Sequence, residues 1–192
     1  MRRSPARRSQ PDLPVRRLLA PALSCLALLA ACAAQPDAQP VIENAELGTT
    51  KNVHALGDVW TAGQPSAEDL ERARDAGFKT IATTRHARET PGFDEEQLVT
   101  ELGLGYVEIP FAGPEELTDE VFDRSRELLQ TAERPLLFHC GSANRIGAVW
   151  IPWRVLDGGL GFDEALAEAR TIGLRTDAYA EKAADYIERR AQ

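Results

Sequence analysis

The sequence predicts one α/β domain over residues 51–192, with a central, mostly parallel sheet of about four to five strands covered by helices on both faces. Three observations predict it. Short apolar segments alternate with amphipathic ones along the chain. The stretch Pro135-Leu136-Leu137-Phe138 is apolar on both alternating faces, as a strand buried on both sides of a parallel sheet must be. Gly77, Gly103, Pro110 and Gly158-Gly159 punctuate the segments where turns are needed.

The elements follow in order. Val53 to Gly63 reads as two short strands around Gly57-Asp58. Ser66 can cap a helix, with Asp69 three residues on, Leu70 and Ala73 on its apolar face and Gly77 at its end. Phe78 to Thr84 is a strand and Arg85 to Gly92 a polar loop. Phe93 to Leu102 predicts a helix, and Tyr106 to Phe111 a strand that Pro110 closes. Thr118 to Thr131 predicts a helix with Val121, Phe122, Leu128 and Leu129 turned inward. The apolar strand through His139 follows. A helix then runs from Asn144 to Leu156, which Pro152 is expected to interrupt and kink. Two further helices cover Asp163 to Ile172 and Asp177 to Arg189.

The chain ahead of this domain is of another kind. Arg2, Arg3, Arg7, Arg8, Arg16 and Arg17 form a basic leader, and Leu18 to Ala31 is uncharged and apolar. Residues 1–31 therefore read as a secretory signal peptide. The leader ends Leu29-Ala30-Ala31-Cys32, which resembles the bacterial lipobox; that resemblance implies cleavage before Cys32 and lipid on its sulfur. Residues 32–50 are small, polar and Pro-containing, and read as a flexible tether. The expected location is thus outside the cytoplasm, with the domain held to a membrane by its lipid.

Charge narrows the partners. The leader holds six of the 22 basic and one of the 30 acidic residues, leaving 16 basic, 29 acidic and a net charge of −13. Such a surface excludes nucleic acid as a partner and repels phosphorylated molecules at long range. An anion site here must work by local geometry. Of three cysteines, Cys25 leaves with the leader and Cys32 is acylated, so Cys140 is an unpaired thiol in an oxidising compartment.

Its surroundings carry the chemistry. The apolar strand delivers His139-Cys140 to the carboxyl edge of the sheet, where α/β folds place ligands. Gly141, Ser142, Ala143 and Asn144 follow, then Arg145 and a helix. Small residues let successive amides curl into an anion nest, and the helix N-terminus adds donors and partial positive charge. The Arg145 guanidinium is a planar fork suited to two oxygens of a tetrahedral anion. The same groups stabilise a thiolate, so Cys140 is the candidate nucleophile. His139, alternating away from the loop, is assigned an orienting role. His54 and His86 are isolated; no metal-ligand cluster, and hence no metal or cofactor, is expected.

The string HC-GSAN-R resembles the signature of Cys-based dual-specificity phosphatases. It is most similar to the β-lactamase-hydrolase-like phosphatase domains, known also as the phosphatase part of phosphatase/NAD-kinase-like fusions, which share the shortened Cys-x4-Arg spacing. Upstream, Gly63-Gln64-Pro65-Ser66, a helix, and a strand ending in Arg85 match the same group. The resemblance implies a dual-specificity-phosphatase-like fold, phosphoester hydrolysis through a phosphocysteine on Cys140, and Arg145 on the phosphoryl oxygens. It also places a general acid on the loop after Tyr106 to Pro110, where Glu115, Glu116 and Asp119 stand; Asp119 suits a helix first turn, which leaves Glu115 or Glu116, with Glu116 taken as the candidate. Arg85 is either a second anion contact or one end of a surface ion pair. Ile146 stands where most tyrosine phosphatases carry a hydroxyl that helps the thiolate leave. Two other readings fit the short loop: a sulfurtransferase carrying a persulfide on Cys140, and a non-catalytic lipoprotein that binds oxyanions.

Overall fold

The computed structural model describes residues 40–89 and 91–191. The expected signal peptide, lipobox and lipidation of Cys32 lie outside the described residues. Among the described residues there are six strands: β1 (Glu43–Asn44), β2 (His54–Leu56), β3 (Val59–Ala62), β4 (Thr80–Thr83), β5 (Gly105–Glu108) and β6 (Leu136–His139). The helices are α1 (Ala67–Asp75), α2 (Glu95–Glu101), α3 (Asp119–Thr131), α4 (Asn144–Leu156), α5 (Phe162–Ile172) and α6 (Asp177–Arg190), with a 3-10 turn at Ala87–Glu89. The sheet order is β1-β2-β3-β6-β4-β5. The four strands β3, β6, β4 and β5 run parallel, while β1 and β2 add an antiparallel edge.

β6 is central, as its double-sided apolar pattern predicts. Leu136 and Phe138 face one layer, and Leu137 faces the other. The first layer is built from α3 to α6, with Phe122, Ile146, Trp150, Ala165 and Tyr186 buried. The second holds Leu70 and Ala73 of α1 and Val99 of α2 against Ile81 and Leu137. Ser66 caps α1 through Asp69 N–H, as the sequence spacing indicates, at 3.1 Å. All parallel strands end at one edge of the sheet, and β6 leads there directly into Cys140.

Two expectations need correction. Residues 40–50 are not a tether. β1 pairs with β2, Leu47 is buried, and Asp69 strips the segment down onto α1: it accepts from Thr49 N–H and hydroxyl and from Thr50 hydroxyl, at 2.9 to 3.2 Å. Gly48 has φ of 52°, and a Cβ there would lie 1.8 Å from Asp69 Oδ1, so glycine is what lets this turn close on the carboxylate. The sheet gains a strand beyond the expected range for this reason. Pro152 does not interrupt α4, which continues to Leu156. α4 is apolar all round and enclosed by α3, α5 and α6, and this packing holds the helical path where proline removes one bond.

Asp69 is fully buried. Burial opposes its charge, but the bonds from Thr50, Thr49 and Ser66 outweigh that and lower its pKa below the usual 3.8. A depressed native pKa stabilises the fold above the unfolded value, and the contribution fades as pH falls through the native one. Asp69→Asn should therefore cost about 2–3 kcal/mol near neutral pH, and the difference from wild type in urea unfolding should shrink progressively below pH 3.8. A difference constant down to acid pH rejects the electrostatic account.

Gly147 sets the approach of α4 to α5. A Cβ there would meet Leu174 Cβ at 2.7 Å and Ala169 O at 2.9 Å. Gly147→Ala gains ~1 kcal/mol of helix propensity but overpacks a closed contact, so thermal unfolding should register a net loss of about 1–2 kcal/mol.

Candidate functional site

The edge where β3, β6 and β4 end carries the loop from Cys140 to Arg145. Cys140 N–H reaches Ala62 O at 3.3 Å, the last bond of the parallel ladder. Beyond it, two carbonyls are tied to outside partners: Gly141 O accepts from Gln64 N–H at 3.4 Å, and Ser142 O from Asn52 Nδ2 at 3.0 Å. In a trans peptide the next amide N–H points opposite the carbonyl. The amides of Ser142 and Ala143 therefore aim away from those partners. Ala143 has φ of 64°, a left-handed conformation, and α4 begins at the next residue. That conformation costs a non-glycine residue about 1–2 kcal/mol, and the loop keeps it. Gly173 has no Cβ because one would sit 3.2 Å from Ala143 Cβ.

Asn144 supports the loop with its side chain rather than turning it toward an anion. Its Nδ2 donates to Thr176 Oγ1 at 2.9 Å, and its Oδ1 accepts from Arg175 N–H at 2.7 Å. Ser142 Oγ accepts from Arg175 Nη2 at 2.8 Å. Gln64, from the Gly63-Gln64-Pro65-Ser66 turn, and the α5–α6 connection thus brace the loop from two sides.

Arg145 lies over it. Its Nη1 donates to Thr84 O at 3.0 Å, to Phe111 O at 2.8 Å and to Glu89 Oε1 at 2.9 Å, and its Nη2 to Glu89 Oε2 at 2.6 Å. The carboxylate takes the end of the fork, which leaves the Nε–Nη2 edge for another anion. Arg145 also interacts with the Cys140 side chain. Burial works against the guanidinium charge, yet Glu89 and Cys140 outweigh it and raise its pKa. Glu89 in turn is held down to about 2, chiefly by its bond to Arg145. Cys140 is 1% exposed and forms the floor of the loop.

His139 is fully buried and faces the α1–α2 layer. Its Nε2 lies 3.4 Å from Glu95 Oε1, and neither ring nitrogen has hydrogen-bond geometry to a partner. Burial lowers its pKa, so the ring is neutral. The ring also interacts with the Cys140 backbone, the contact an orienting role would use. Glu95 is instead held by Gln64 Nε2 at 2.6 Å and by Tyr106 OH at 3.3 Å.

Arg85 is not a surface pair. Its side chain is 14% exposed, donates through Nη1 to Gln64 Oε1, and has Nε 4.0 Å from Glu89 Oε2. Arg85, His86, Glu89, Phe93, Glu95 and Tyr106 line a cavity of about 540 Å³, and Glu89 links its wall to Arg145.

Glu116 does not fit the general-acid role. It accepts from Ala112 N–H at 2.7 Å and pairs with His86 Nε2 at 2.6 Å. These bonds, the one to His86 first, lower its pKa, and an ionised carboxylate has no proton to give. Asp119 opens α3 and pairs with Arg189 at 2.6 Å, as a first-turn acid should. Glu115 is exposed. Sequence reasoning missed Glu89 and read His86 as isolated. The Arg85-x3-Glu89 spacing in the loop was a signal for the first, whereas the His86–Glu116 pairing joins residues 30 apart and left none.

No family model matches the chain. A beta-lactamase hydrolase-like protein of Agrobacterium fabrum is 30% identical over 101 residues, which are 50% of this chain but only 23% of that protein. Among solved structures, P. aeruginosa TpbA, as a cysteine-to-serine variant in complex with pTyr, superposes with a TM-score of 0.59 at 17% identity, covering 80% of this chain and 91% of that one. The Siw14 catalytic core gives 0.60 at 17% identity, over 77% and 94% of the two chains. Tk-PTP in its active form gives 0.56 at 22%, over 69% and 93%. The fold is that of the Cys-based, dual-specificity-like phosphatases: a central, mostly parallel sheet flanked by helices.

Proposed function

We propose that this chain is a phosphatase that hydrolyses phosphoesters through Cys140. One observation carries the reading: Cys140 and Arg145 stand on a single six-residue loop whose Gly141 and Ser142 carbonyls are tied to outside partners, with the guanidinium in contact with the Cys140 side chain. A phosphoryl group in the loop receives amide bonds from Ser142 and Ala143 and the guanidinium fork from Arg145. The Cys140 thiolate attacks phosphorus, the S–P bond forms, and the P–O bond to the leaving alcohol breaks. Water then attacks the phosphocysteine and releases phosphate. The likeness to TpbA, solved with pTyr, supports a phosphorylated substrate. Gly141 is part of the loop, and Arg85 lines the cavity that Glu89 also lines. Ile146 is buried in the core and offers no hydroxyl to the departing thiolate, which favours slow turnover. Lipid on Cys32 would hold this domain at the outer side of a bacterial membrane.

The test is direct. The purified domain should hydrolyse 4-nitrophenyl phosphate, lose that activity to vanadate, and show a phosphoryl adduct on Cys140 by mass spectrometry after acid quench. An added sulfur on Cys140 after thiosulfate treatment, without phosphate release, assigns sulfur transfer instead. Tight phosphate binding with no turnover assigns a binding protein.

A further inference from the structure

We propose that His86, oriented by Glu116, is the proton donor to the leaving group of this reaction; the inference rests on the phosphatase reading above. Phosphoester cleavage leaves an alkoxide or phenoxide that needs a proton, and the loop itself supplies none. Glu116 is an acceptor of two hydrogen bonds and cannot act. His86 stands among the residues that hold Arg145. It follows the carboxyl end of β4, and its backbone N–H donates to Glu89 Oε1 at 2.9 Å, the oxygen that also receives Arg145 Nη1. Its partner Glu116 is tied to Ala112 N–H, next to Phe111, whose carbonyl receives the same Nη1. Both members of the pair are thereby fixed to residues that hold the guanidinium. The imidazole lines the same cavity as Arg85 and the Arg145-bound Glu89, with 21% of its side chain exposed. Nε2 is taken by Glu116, which leaves Nδ1 as the nitrogen available to a leaving group.

The charges around the ring are Glu116 from the β5–α3 loop, Arg85, Arg88 and Glu89 on its own loop, and Asp94, Glu95, Glu96 and Glu108 across the cavity. In the step proposed, Cys140 Sγ bonds phosphorus and the P–O bond breaks with its electron pair on oxygen. The proton on His86 Nδ1 passes to that oxygen. In the second step the neutral ring takes a proton from the attacking water as the S–P bond breaks, which restores both groups.

A structural tie between two loops would affect all substrates alike; a proton donor would not. The experiment compares phenyl phosphate, whose leaving group needs protonation, with 4-nitrophenyl phosphate, whose leaving group does not. His86→Ala should lower kcat for phenyl phosphate by ~10²-fold or more and for 4-nitrophenyl phosphate by less than ~5-fold. The decline of kcat toward high pH for phenyl phosphate should vanish in the same variant. Glu116→Gln should show the same selectivity in weaker form. Retained 4-nitrophenyl phosphate turnover certifies a folded site. Equal losses on both substrates, or none, overturn the proton-donor assignment while the phosphatase reading stands. If wild type releases phosphate from neither substrate, it is the phosphatase reading that fails.

Discussion

Cys140→Ser should abolish turnover, with kcat for 4-nitrophenyl phosphate down at least ~10⁴-fold. Oxygen replaces sulfur almost without a change of shape. The floor of the loop, the outward ties of Gly141 and Ser142, and the guanidinium edge all remain. What changes is the nucleophile: a hydroxyl in this position is far harder to ionise than a thiol, and the loop carries no base to take its proton. Phosphate affinity should therefore survive where turnover does not. A competition titration with inorganic phosphate, read by the protection of Arg145 from phenylglyoxal, separates the two. If the serine variant keeps more than a trace of activity, phosphorus is attacked by something other than residue 140. If it loses phosphate binding as well, the thiol holds the loop together rather than reacting from it.

The fold was legible because its largest energetic term is written locally. Leu136, Leu137 and Phe138 are buried on both faces of β6, and no arrangement other than a central strand accommodates them. The capping of α1 by Ser66 and the loop from Cys140 to Arg145 are short-range patterns too. What escaped were contacts that join polar residues far apart in sequence. Residues 40–50 look like a linker by composition, yet one buried carboxylate, Asp69, gathers Thr49 and Thr50 across some twenty positions. Pro152 breaks a helix on local grounds, and only the surrounding helices override it. In the site, Cys140, Arg145 and the bracing Gln64 turn were visible. The partners that decide how they work were not. Glu89 and the His86–Glu116 pair lie in loops whose composition says only that they are polar.

Glu89 decides how Arg145 is presented, and this dependence is measurable. Three acceptors, Thr84 O, Phe111 O and Glu89 Oε1, surround Nη1, and Glu89 Oε2 holds Nη2. A lysine ammonium carries charge but no second nitrogen, so it cannot satisfy the two backbone carbonyls and the carboxylate while offering an edge to phosphate. Arg145→Lys should lower kcat/KM by about 10²- to 10³-fold, the usual consequence of losing a preorganised donor to developing charge. Glu89→Gln keeps the size of the side chain and one acceptor oxygen; it should lower kcat/KM by ~10-fold because the fork is less firmly aimed. The sign of this smaller effect discriminates two roles. A carboxylate that competed with substrate for the guanidinium would, once neutralised, raise phosphate affinity and kcat/KM. The geometry favours aiming over competition, because Glu89 occupies the end of the fork and not the Nε–Nη2 edge. A positioning residue works only through the group it positions. In the Arg145→Lys background, Glu89→Gln should therefore cost less than ~2-fold, a coupling visible in the double-mutant cycle. Additive losses in that cycle would mean that the carboxylate acts on the reaction by some route that does not pass through Arg145.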